Sequence, residues 1–524
     1  MAESFPVWLP YLKKLYCKWW RDISTDLTIA NTFIALPELD MSYTLDRSHQ
    51  HLLIRLEYVY LFNRLRDFSA TPHGVGRGIV VTGQPGIGKS IFLLYALLRA
   101  LQNGEELVLH FDGETYIMTQ NGPIPIDPSY LQEMVKKPVW ALIDSDRRKK
   151  VPPSPWLTKH RLVLPIFATS PDKDRYDWLT RRNGVTFVMD PWTYQELLLS
   201  VRLLGNTQIL QNLYESRLPQ AVYVCGPVIR DINTFVLSEL PTPITVRIDA
   251  ALDFSSFRDL AKLFLTYNSS CVQESHSVIL MRRRLTTDPL SGDEILLDFR
   301  SGYVAEHAWR RLWELEHDES LKYFALFGQH AALSIASGWA FENIAHRYMC
   351  QITPTRPNLP PMHSLVYSAG PTFTKIIGST PSYFLPIHNE VRTPIFYSMA
   401  SEVKLDVSAY YIPRRTNNPL FDALFFGPNI IPAMDASSVS SPFALYVLQM
   451  STATVHGGSD KGVDIICDIL RANPSIEPIF VLVVPDSAPH TWRMPSGWYS
   501  KCQGLVFCQE VPLAFAQSAP HNNT

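Results

Sequence analysis

An eight-residue glycine loop constrains the fold of this chain more than any other stretch. The pattern G-x-x-x-x-G-K-[ST] is matched at every fixed position by Gly83-Gln84-Pro85-Gly86-Ile87-Gly88-Lys89-Ser90. A short β-branched apolar run, 78–82, precedes this loop, and a strong helix former, 91–98, follows it. Strand, glycine loop and helix form the context in which the pattern binds phosphate, so the sequence predicts a P-loop.

The chemistry of phosphate binding assigns a role to each loop position. Gly83 and Gly88 let the backbone bend and approach a polyphosphate closely. The loop N–H groups and the N-terminus of the following helix, as far as Ile91, direct positive charge at the phosphates. We expect Lys89 to reach the β- and γ-phosphates of ATP or GTP, and the Ser90 hydroxyl to take one Mg²⁺ position.

Composition excludes several classes of protein. The 524 residues suffice for about two to four domains, and 46% hydrophobic with 18% charged residues indicates a globular chain. A net charge of −2 argues against a protein that coats nucleic acid electrostatically. The seven cysteines form no C-x-x-C pair, which favours reduced thiols in a cell.

The sequence also predicts where the protein resides. The segment 1–8 lacks the basic and apolar regions of a signal peptide, and no apolar run is long enough to span a bilayer. We therefore expect an intracellular protein, cytoplasmic or nuclear, without a membrane partner. Unconventional export and homo-oligomerisation stay open.

Changes in residue pattern predict an α/β protein of several segments. The predicted segments are an N-terminal helical segment at 1–70, a P-loop core at 71–205, a helical lid and connector at 206–325, a second α/β domain at 326–512, and a loose tail at 513–524. The first segment contains a predicted helix at about 45–65. In the core, strands at 106–111, 139–143, 162–167 and 185–189 and a hairpin at 115–126 predict an open parallel sheet.

An acidic residue follows the strand at 139–143. Asp144 lies where ligands bind in parallel sheets, so we expect it to hold Mg²⁺ opposite Ser90. The alternative is a solvated acidic turn. Many ATPases with an extra strand between their two nucleotide-binding motifs carry a glutamate next, whereas this chain has Ser145; Asp146 is the candidate substitute.

Several polar residues beyond the loop are candidates for contact with the γ-phosphate. Thr169 and Ser170 end a strand, and Arg230 begins a helix in the predicted lid. Three arginines near 172–182 are candidate arginine fingers, with a solvated helix face as the alternative: Arg175, Arg181 and Arg182. A basic run, Arg282-Arg283-Arg284, is either a phosphate-backbone contact or a solvated patch.

Several polar residues of the second domain lie on or beside its apolar elements. A helix at 330–350 carries Glu342 and His346 four positions apart, away from its apolar face. Asp422 lies near the start of an apolar strand at 421–426, and Gln449 lies near the end of another at 444–450. A helix at 461–471 and a fully apolar strand at 479–484 complete the α/β pattern.

Two sets of residues, taken in order, resemble the Crinkler and retrotransposon-hot-spot type of eukaryotic effector in its fungal form. The resemblance covers roughly residues 75 to 490 and rests on the P-loop and on these segments: 142–144, 190–192, 226–230, 338–342, 410–413, 421–422, 448–450 and His456. It implies an NTPase module joined to a C-terminal domain of restriction-endonuclease-like, PD-(D/E)XK fold.

The resemblance also implies roles for residues of the second domain. Glu342 would be the helix carboxylate of a Mg²⁺-dependent nuclease and Asp422 its strand ligand. Gln449-Met450-Ser451 stands where a carboxylate-x-lysine is expected, and Lys461 or Lys404 is a candidate replacement for the lysine. The expected function is Mg²⁺-dependent nucleotide hydrolysis coupled to a nuclease-like domain. The alternative is a nucleotide-gated module that binds DNA or protein without cleavage.

Overall fold

The computed structural model divides the chain into two compact units, Met1–Val304 and Ala305–Thr524. The structure describes residues 8–36, 51–71, 76–111, 113–144, 159–171, 175, 177–204, 207–238, 243–252, 257–267, 275–284, 288, 291–314, 317–350, 359–369, 372–375, 383–387, 391–413, 420–430, 441–453, 455–486 and 491–513. The boundary between the units, after Val304, lies before the boundary at residue 325 that the sequence predicts. Leu321, for example, packs in the core of the second unit.

The described residues of the first unit form helices and three β-sheets. Its helices are α1 Leu9–Trp19, α2 Leu56–Ala70, α3 Lys89–Gln102, α4 Leu131–Met134, α5 Tyr194–Leu204, α6 Gln208–Cys225, α7 Ile229–Leu237, α8 Pro243–Leu252, α9 Phe257–Thr266 and α10 Ser275–Val278. Its strands are β1 Thr32–Ala35, β2 His51–Ile54, β3 Ile79–Thr82, β4 Leu107–Phe111, β5 Glu114–Thr119, β6 Gly122–Ile126, β7 Val139–Asp144, β8 Val163–Ala168, β9 Val185–Val188, β10 Ile279–Arg284 and β11 Glu294–Phe299.

A seven-stranded sheet forms the centre of this unit, in the order β6-β5-β4-β7-β8-β3-β9. The strands from β4 to β9 in that order run parallel, and the β5–β6 hairpin extends the edge antiparallel. The strand β8 lies between β3 and β7, and the sheet confirms the predicted α/β class. Since carboxyl ends of parallel strands share an edge, the glycine loop and Asp144 meet there.

The segment before the central sheet differs from its prediction. A single helix at about 45–65 is wrong for residues 51–54, which form β2, and α2 begins at Leu56; residues 45–50 lie outside the described chain. The strand forms because β2 pairs antiparallel with β1, with Leu52 opposite Ile34 and Leu53 opposite Phe33. This pairing outweighs the helical spacing of the local apolar residues.

The second unit is a mixed α/β layer structure. Its helices are α11 Gly302–Glu314, which begins in the first unit, α12 His317–Gly328, α13 Ser334–Cys350 and α14 Asp460–Arg471. Its strands are β12 His363–Ala369, β13 Thr372–Lys375, β14 Thr393–Tyr397, β15 Ala409–Pro413, β16 Ala423–Pro428, β17 Phe443–Met450, β18 Val455–Gly457, β19 Glu477–Pro485, β20 Thr491–Arg493 and β21 Val506–Val511.

Ten strands of this unit form one sheet in the order β14-β15-β16-β17-β19-β21-β12-β13-β20-β18. Helix α13 packs on one face through Phe341 and Ile344, and α14 packs on the other through Val463 and Ile466. Residues that alternate along a strand therefore enter different cores, as Tyr410 and Tyr411 do. Within the described residues, no helix combines the length and apolar character needed to cross a bilayer.

Candidate functional site

The loop between β3 and α3 brings the two predicted Mg²⁺ positions together. Ser90, in the first turn of α3, donates a hydrogen bond of 3.0 Å from Oγ to Oδ1 of Asp144 at the end of β7. A hydroxyl and a carboxylate are oxygen ligands of the kind that Mg²⁺ prefers. The donor set therefore fits a magnesium ion that also contacts phosphate. Ser145 and Asp146 lie outside the described residues.

Lys89 folds back over the loop that carries it. Its Nζ donates hydrogen bonds to the carbonyl oxygens of Gly83, at 2.7 Å, and Gln84, at 3.0 Å. The ammonium group is thus held at the concave side of the loop, where a phosphate would lie. Because those acceptors are neutral carbonyls, an anionic phosphate offers Lys89 a stronger, charge-assisted partner.

A cavity of about 410 Å³ opens over the loop. Its wall includes Gly86, Lys89 and Ser90 of the loop and of the start of α3. Apolar residues of β2, α5 and α7 also line it. The residues that line it are His51, Leu52, Leu53, Tyr58, Pro85, Gly86, Gly88, Lys89, Ser90, Ile91, Ser170, Arg175, Trp192, Leu203, Ile229, Arg230 and Asn233.

The carbonyl oxygen of Ile87 is held by two side chains from distant parts of the unit. It accepts hydrogen bonds from Nε1 of Trp192 at 2.7 Å and from Nη1 of Arg55 at 3.3 Å. Arg55 is fully buried, forms a 3.2 Å ion pair with Glu196 and lies over the Trp192 ring at 4.5 Å. This support fixes the Ile87 carbonyl oxygen and so holds the loop backbone at that position.

A local sequence motif, a capping box, accounts for only one part of this support. The capping box of Thr193 and Glu196 is present: Glu196 N donates to Oγ1 of Thr193 at 3.2 Å, and Thr193 N donates to Oε2 of Glu196 at 2.9 Å. The same carboxylate also binds Arg55, a contact across 141 residues. A local motif cannot reveal a partner at that separation.

Two loop glycines are required by their surroundings. Gly88 has φ 105°, and a Cβ there would lie 2.4 Å from Oη of Tyr58. Gly83 has φ 149°, and a Cβ there would lie 2.8 Å from the carbonyl oxygen of Met189. Both positions combine a backbone conformation that favours glycine with the close approach of a neighbour.

Gln84 ties the loop to the hairpin of β10 and β11. Its side chain is fully buried, and its Nε2 donates to the carbonyl oxygens of His276 and Ile279, each at 2.9 Å. Its Oε1 accepts from Tyr267 Oη and Met281 N, each at 3.3 Å. All donor and acceptor positions of the amide are thus used within the protein.

The Gln84 partner His276 is held neutral. Burial, followed by the charges of Lys89 and Arg300, lowers the pKa of His276 to about 4. Arg300 also donates to the His276 carbonyl oxygen at 2.8 Å and pairs with Asp231. The segment beside the loop is therefore fixed by a neutral imidazole and by an arginine whose charge is paired with Asp231.

Arg230 lies next to the loop, at the start of α7. Its side chain is exposed, and a Cβ built on Gly86 would lie 3.2 Å from its Cβ and 3.4 Å from its Nε. The adjacent Asp231 turns inward and binds Arg247 at 2.8 Å. Arg230 thus lies beside Gly86 of the loop and in the cavity wall.

The remaining cation and hydroxyl candidates separate into two groups. Ser170 and Arg175 line the cavity, and the Thr169 hydroxyl is buried without a hydrogen-bond partner at the end of β8. Arg182 instead donates to the carbonyl oxygen of Gly76 at 2.7 Å, and Arg181 is exposed outside the cavity lining. Among the arginine-finger candidates, Arg175 is the one in the cavity wall.

The basic run at 282–284 does not form a free patch. Arg283 is largely buried, binds Glu57 at 2.9 Å and Asp190 at 3.1 Å, and so joins β10 to α2. Arg282 and Arg284 contact Asp298 and Glu294 at 3.5 and 3.6 Å across the hairpin. Neither alternative considered from sequence, a phosphate contact or a solvated patch, describes Arg283.

A buried polar cluster occupies the α13 face of the second unit. Nδ1 of His346 lies 2.8 Å from Oη of Tyr410, and its Nε2 lies 3.4 Å from Oε1 of Glu342. His346 is fully buried, although its spacing placed it away from the apolar face of the helix. Burial lowers the pKa of His346 to about 4 and raises the pKa of Glu342 to about 7.

Asp422 and Gln449 meet beside this cluster. Gln449 Nε2 donates to Oδ2 of Asp422 at 2.6 Å, and Met450 N donates to the same oxygen at 2.7 Å. Burial and then the neighbouring Glu342 charge raise the pKa of Asp422 well above its usual range. Glu342, Asp422 and Gln449, the residues singled out by resemblance, thus share one region.

The arrangement does not fit a metal-activated cleavage site. Gln449 presents its N–H group to Asp422, where a metal site needs another oxygen. Lys404 and Lys461 are exposed, and their segments pack on the α14 side: Tyr411, in that core, donates to the Lys404 carbonyl oxygen. In the described part of the chain, no group of three or more His, Cys, Asp or Glu side chains is placed to hold a metal ion.

Comparison with known proteins finds a limited likeness. No family model matches the chain. Crinkler effector proteins 15 and 16 of Phytophthora infestans are each 27% identical over 157 residues, 28% of this chain and 24% of the relative. The match thus spans about a quarter of those relatives. The chain is similar to Crinkler effectors over this part.

Proposed function

We propose that the first unit binds and hydrolyses a nucleoside triphosphate, ATP or GTP, with Mg²⁺. The observation that carries this proposal is the 3.0 Å hydrogen bond from Ser90, which lines a 410 Å³ cavity, to Asp144. The glycine loop supplies backbone N–H groups, and the start of α3 supplies its helix dipole. These are the elements that a P-loop uses for phosphate.

Each residue has a role in this proposal. Lys89 would exchange its two carbonyl acceptors for phosphate oxygens, and Arg230 would bind the terminal phosphate from the lid side. Ser90 and Asp144 would hold the magnesium ion, which neutralises phosphate charge when bound. Arg175 and Ser170 would complete the wall near the terminal phosphate.

Part of the cavity wall is apolar, which suits the nucleoside. Leu52, Leu53, Leu203 and Ile229 line it, and apolar walls with few polar groups are typical of small-molecule sites. Asn233 is also in the wall, and its Oδ1 accepts from Tyr214 at 2.9 Å. Its amide nitrogen is thereby oriented as a donor for a base or ribose acceptor.

Calorimetric titration of the full chain with ATP and GTP, with and without Mg²⁺, tests the binding site. We expect Lys89→Ala to weaken binding by about 30-fold or more, since it removes a charge-assisted contact. Lys136→Ala removes an exposed lysine away from the cavity and should bind as the parent does. Equal affinity of the parent and Lys89→Ala would refute the proposal.

Release of inorganic phosphate from ATP and GTP tests hydrolysis separately. We expect Mg²⁺-dependent turnover in the parent, and a lower kcat in Arg230→Ala and Arg175→Ala with nucleotide still bound. Arg181→Ala is the matched control, because Arg181 is exposed outside the cavity lining. Binding without turnover would restrict the function to nucleotide sensing.

We propose for the second unit a nuclease-like domain of the Crinkler and retrotransposon-hot-spot type that binds DNA or protein without cleaving. The contact from Gln449 Nε2 to Asp422 Oδ2 supports this assignment, since an amide donor stands where an acidic metal ligand is expected. The fungal form of this family and nucleotide gating of the second unit belong to the same proposal.

Plasmid DNA incubated with the full chain and Mg²⁺ tests this second assignment. We expect no nicking or linearisation above that of an Asp422→Ala protein purified in parallel. Cleavage by the parent that is lost in Asp422→Ala would overturn the assignment and indicate a nuclease. Retention of DNA on a filter, measured in the same samples with and without ATP, distinguishes a DNA partner from a protein partner.

A further inference from the structure

Two cysteines of the second unit lie side by side. Cys467 is on α14, and Cys502 ends the short π-helical turn Trp498–Cys502 that precedes β21. Their Sγ atoms are 3.8 Å apart, across a separation of 35 residues. Both side chains are partly exposed, so a small reagent can reach the pair.

Polar contacts on the same helix face hold the two segments in register. Asp460 Oδ1 accepts a hydrogen bond from Gly497 N at 2.8 Å, and Asp464 Oδ1 binds Nζ of Lys501 at 2.5 Å. Asp460, Asp464 and Cys467 follow the spacing of one face of a helix. The thiols are therefore aligned by contacts that do not involve sulfur.

We propose that Cys467 and Cys502 form a reversible dithiol–disulfide site that exchanges with a low-molecular-weight disulfide such as oxidised glutathione. A bonded pair needs its sulfurs about 2 Å apart. The remaining approach is within the reach of side-chain rotation and a small shift of the turn. Neither cysteine is part of the nucleotide cavity or of the Glu342 cluster.

The exchange proceeds in two balanced steps. The Cys467 thiol loses its proton to solvent, and the thiolate attacks one sulfur of glutathione disulfide, forming a mixed disulfide and releasing glutathione thiolate. The Cys502 thiolate then attacks the Cys467 sulfur, which forms the protein disulfide and releases the second glutathione. Two protein thiols are oxidised, and one glutathione disulfide is reduced to two glutathione molecules.

The environment favours this order of attack. Burial, and then the adjacent Cys467 sulfur, raises the pKa of Cys502 to about 12. Cys502 is therefore the poorer first nucleophile, since the thiolate is the reactive form. In the second step Cys502 loses its proton to solvent and attacks the neighbouring electrophilic sulfur of the mixed disulfide, in which Cys467 no longer carries the charge that raises the pKa of Cys502.

The disulfide would join α14 to the turn that leads into β21. The closed loop contains β19, a central strand of the ten-stranded sheet. A cross-link of this kind restricts the unfolded chain and stabilises the folded unit. We therefore expect the oxidised protein to resist unfolding of the α14 face more than the reduced protein does.

The test uses the full chain, equilibrated with mixtures of oxidised and reduced glutathione and then alkylated and digested without reductant. We expect a cross-linked peptide pair containing Cys467 and Cys502, the loss of both alkylatable thiols, and their return in excess reduced glutathione. The exposed Cys17 reports in the same sample that the oxidant acts. An Asp464→Asn protein, which lacks the ion pair to Lys501, should give less cross-link.

Two results would overturn the proposal. One is retention of both thiols at an oxidant concentration that modifies Cys17. The other is separate attachment of glutathione to Cys467 and Cys502 without a cross-link. A Cys467→Ser protein should carry glutathione on no more than Cys502 of this pair and should lose the oxidation-dependent rise in thermal midpoint.

Discussion

Ser90 donates a hydrogen bond to Asp144 at 3.0 Å although 54 residues separate them in the chain. The contact exists because the glycine loop leads from the end of β3 into α3, and because β7 ends at the same sheet edge. In the proposed function these two oxygen ligands hold one ion between them.

Asp144→Asn should remove the dependence of nucleotide affinity on Mg²⁺. The amide keeps a hydrogen-bond partner for Ser90 and removes the carboxylate charge that attracts the ion. We expect the parent to bind ATP about tenfold or more tightly when Mg²⁺ is added, and the variant to change little. Titrations with and without Mg²⁺ measure both ratios. An equal Mg²⁺ effect in the two proteins would exclude Asp144 from the metal site.

Gly88→Ala should destabilise the first unit by about 1–3 kcal/mol, because alanine resists φ 105° and its Cβ meets Tyr58 Oη at 2.4 Å. Urea unfolding of the parent and the variant measures the free energy. The Tyr58→Phe background is the control, since it removes the hydroxyl. Gly88→Ala should cost less there, and an equal cost in both backgrounds would mean that the clash is relieved in another way.

Arg55→Ala should destabilise the first unit by about 3–5 kcal/mol, because it leaves Glu196 buried without its charge partner. An Arg55→Ala/Glu196→Gln protein should recover part of that loss. Thermal unfolding of the single and double variants measures the coupling. Additive effects would show that the ion pair contributes little to loop support.

Gln84→Glu should weaken the connection between the loop and β10. A carboxylate accepts from Met281 N but cannot donate to the carbonyl oxygens of His276 and Ile279. We expect faster amide hydrogen exchange over 279–284 and weaker ATP binding. Exchange over β16, in the other unit, is the control and should stay unchanged. Unaltered protection of 279–284 would contradict this role of Gln84.

Glu342→Gln should stabilise the second unit by an amount that grows as pH rises from 4.5 to about 7. The pKa of Glu342 rises from 4.5 to about 7 on burial, so the folded state holds more protons between these values and its stability falls as pH rises through them. His346 acts oppositely: its pKa falls from 6.5 to about 4, so its contribution is lost as pH falls through that window.

We therefore expect the gain of Glu342→Gln to be absent near pH 4.5 and to reach about 1–3 kcal/mol at pH 8. Hydrogen exchange of the α13 amides at several pH values measures it within the second unit. Glu477→Gln removes one exposed charge and is the matched control. A gain of equal size at both pH values would indicate a packing effect instead of a proton linkage.

The parts of the structure that follow from local sequence were predictable. The glycine loop, the strands around it and the hairpin of β5 and β6 each have a local sequence pattern. The structure confirms the α/β architecture. The proximity of Ser90 and Asp144 also follows from strand order, since both lie at carboxyl ends of parallel strands.

Contacts made across long separations were not predictable in this way. Nothing in the local sequence distinguishes Arg55 from a surface arginine, whereas in the structure Glu196 and Trp192 contact it. Gln84 occupies a variable position of the loop pattern, yet four partners from 267–281 fix it. His346 lies on the polar side of its helix by spacing, and Tyr410 from another element buries that side.

The contact between Gln449 and Asp422 determines what a glutamate at position 449 would meet. One Asp422 oxygen receives two N–H groups, from Gln449 Nε2 and Met450 N. Gln449→Glu would replace one of these donors with a second acidic group, so the ends of β16 and β17 would have to rearrange before both carboxyl groups could bind one ion. In the proposed function, this hydrogen bond keeps the second unit from cleaving phosphodiesters.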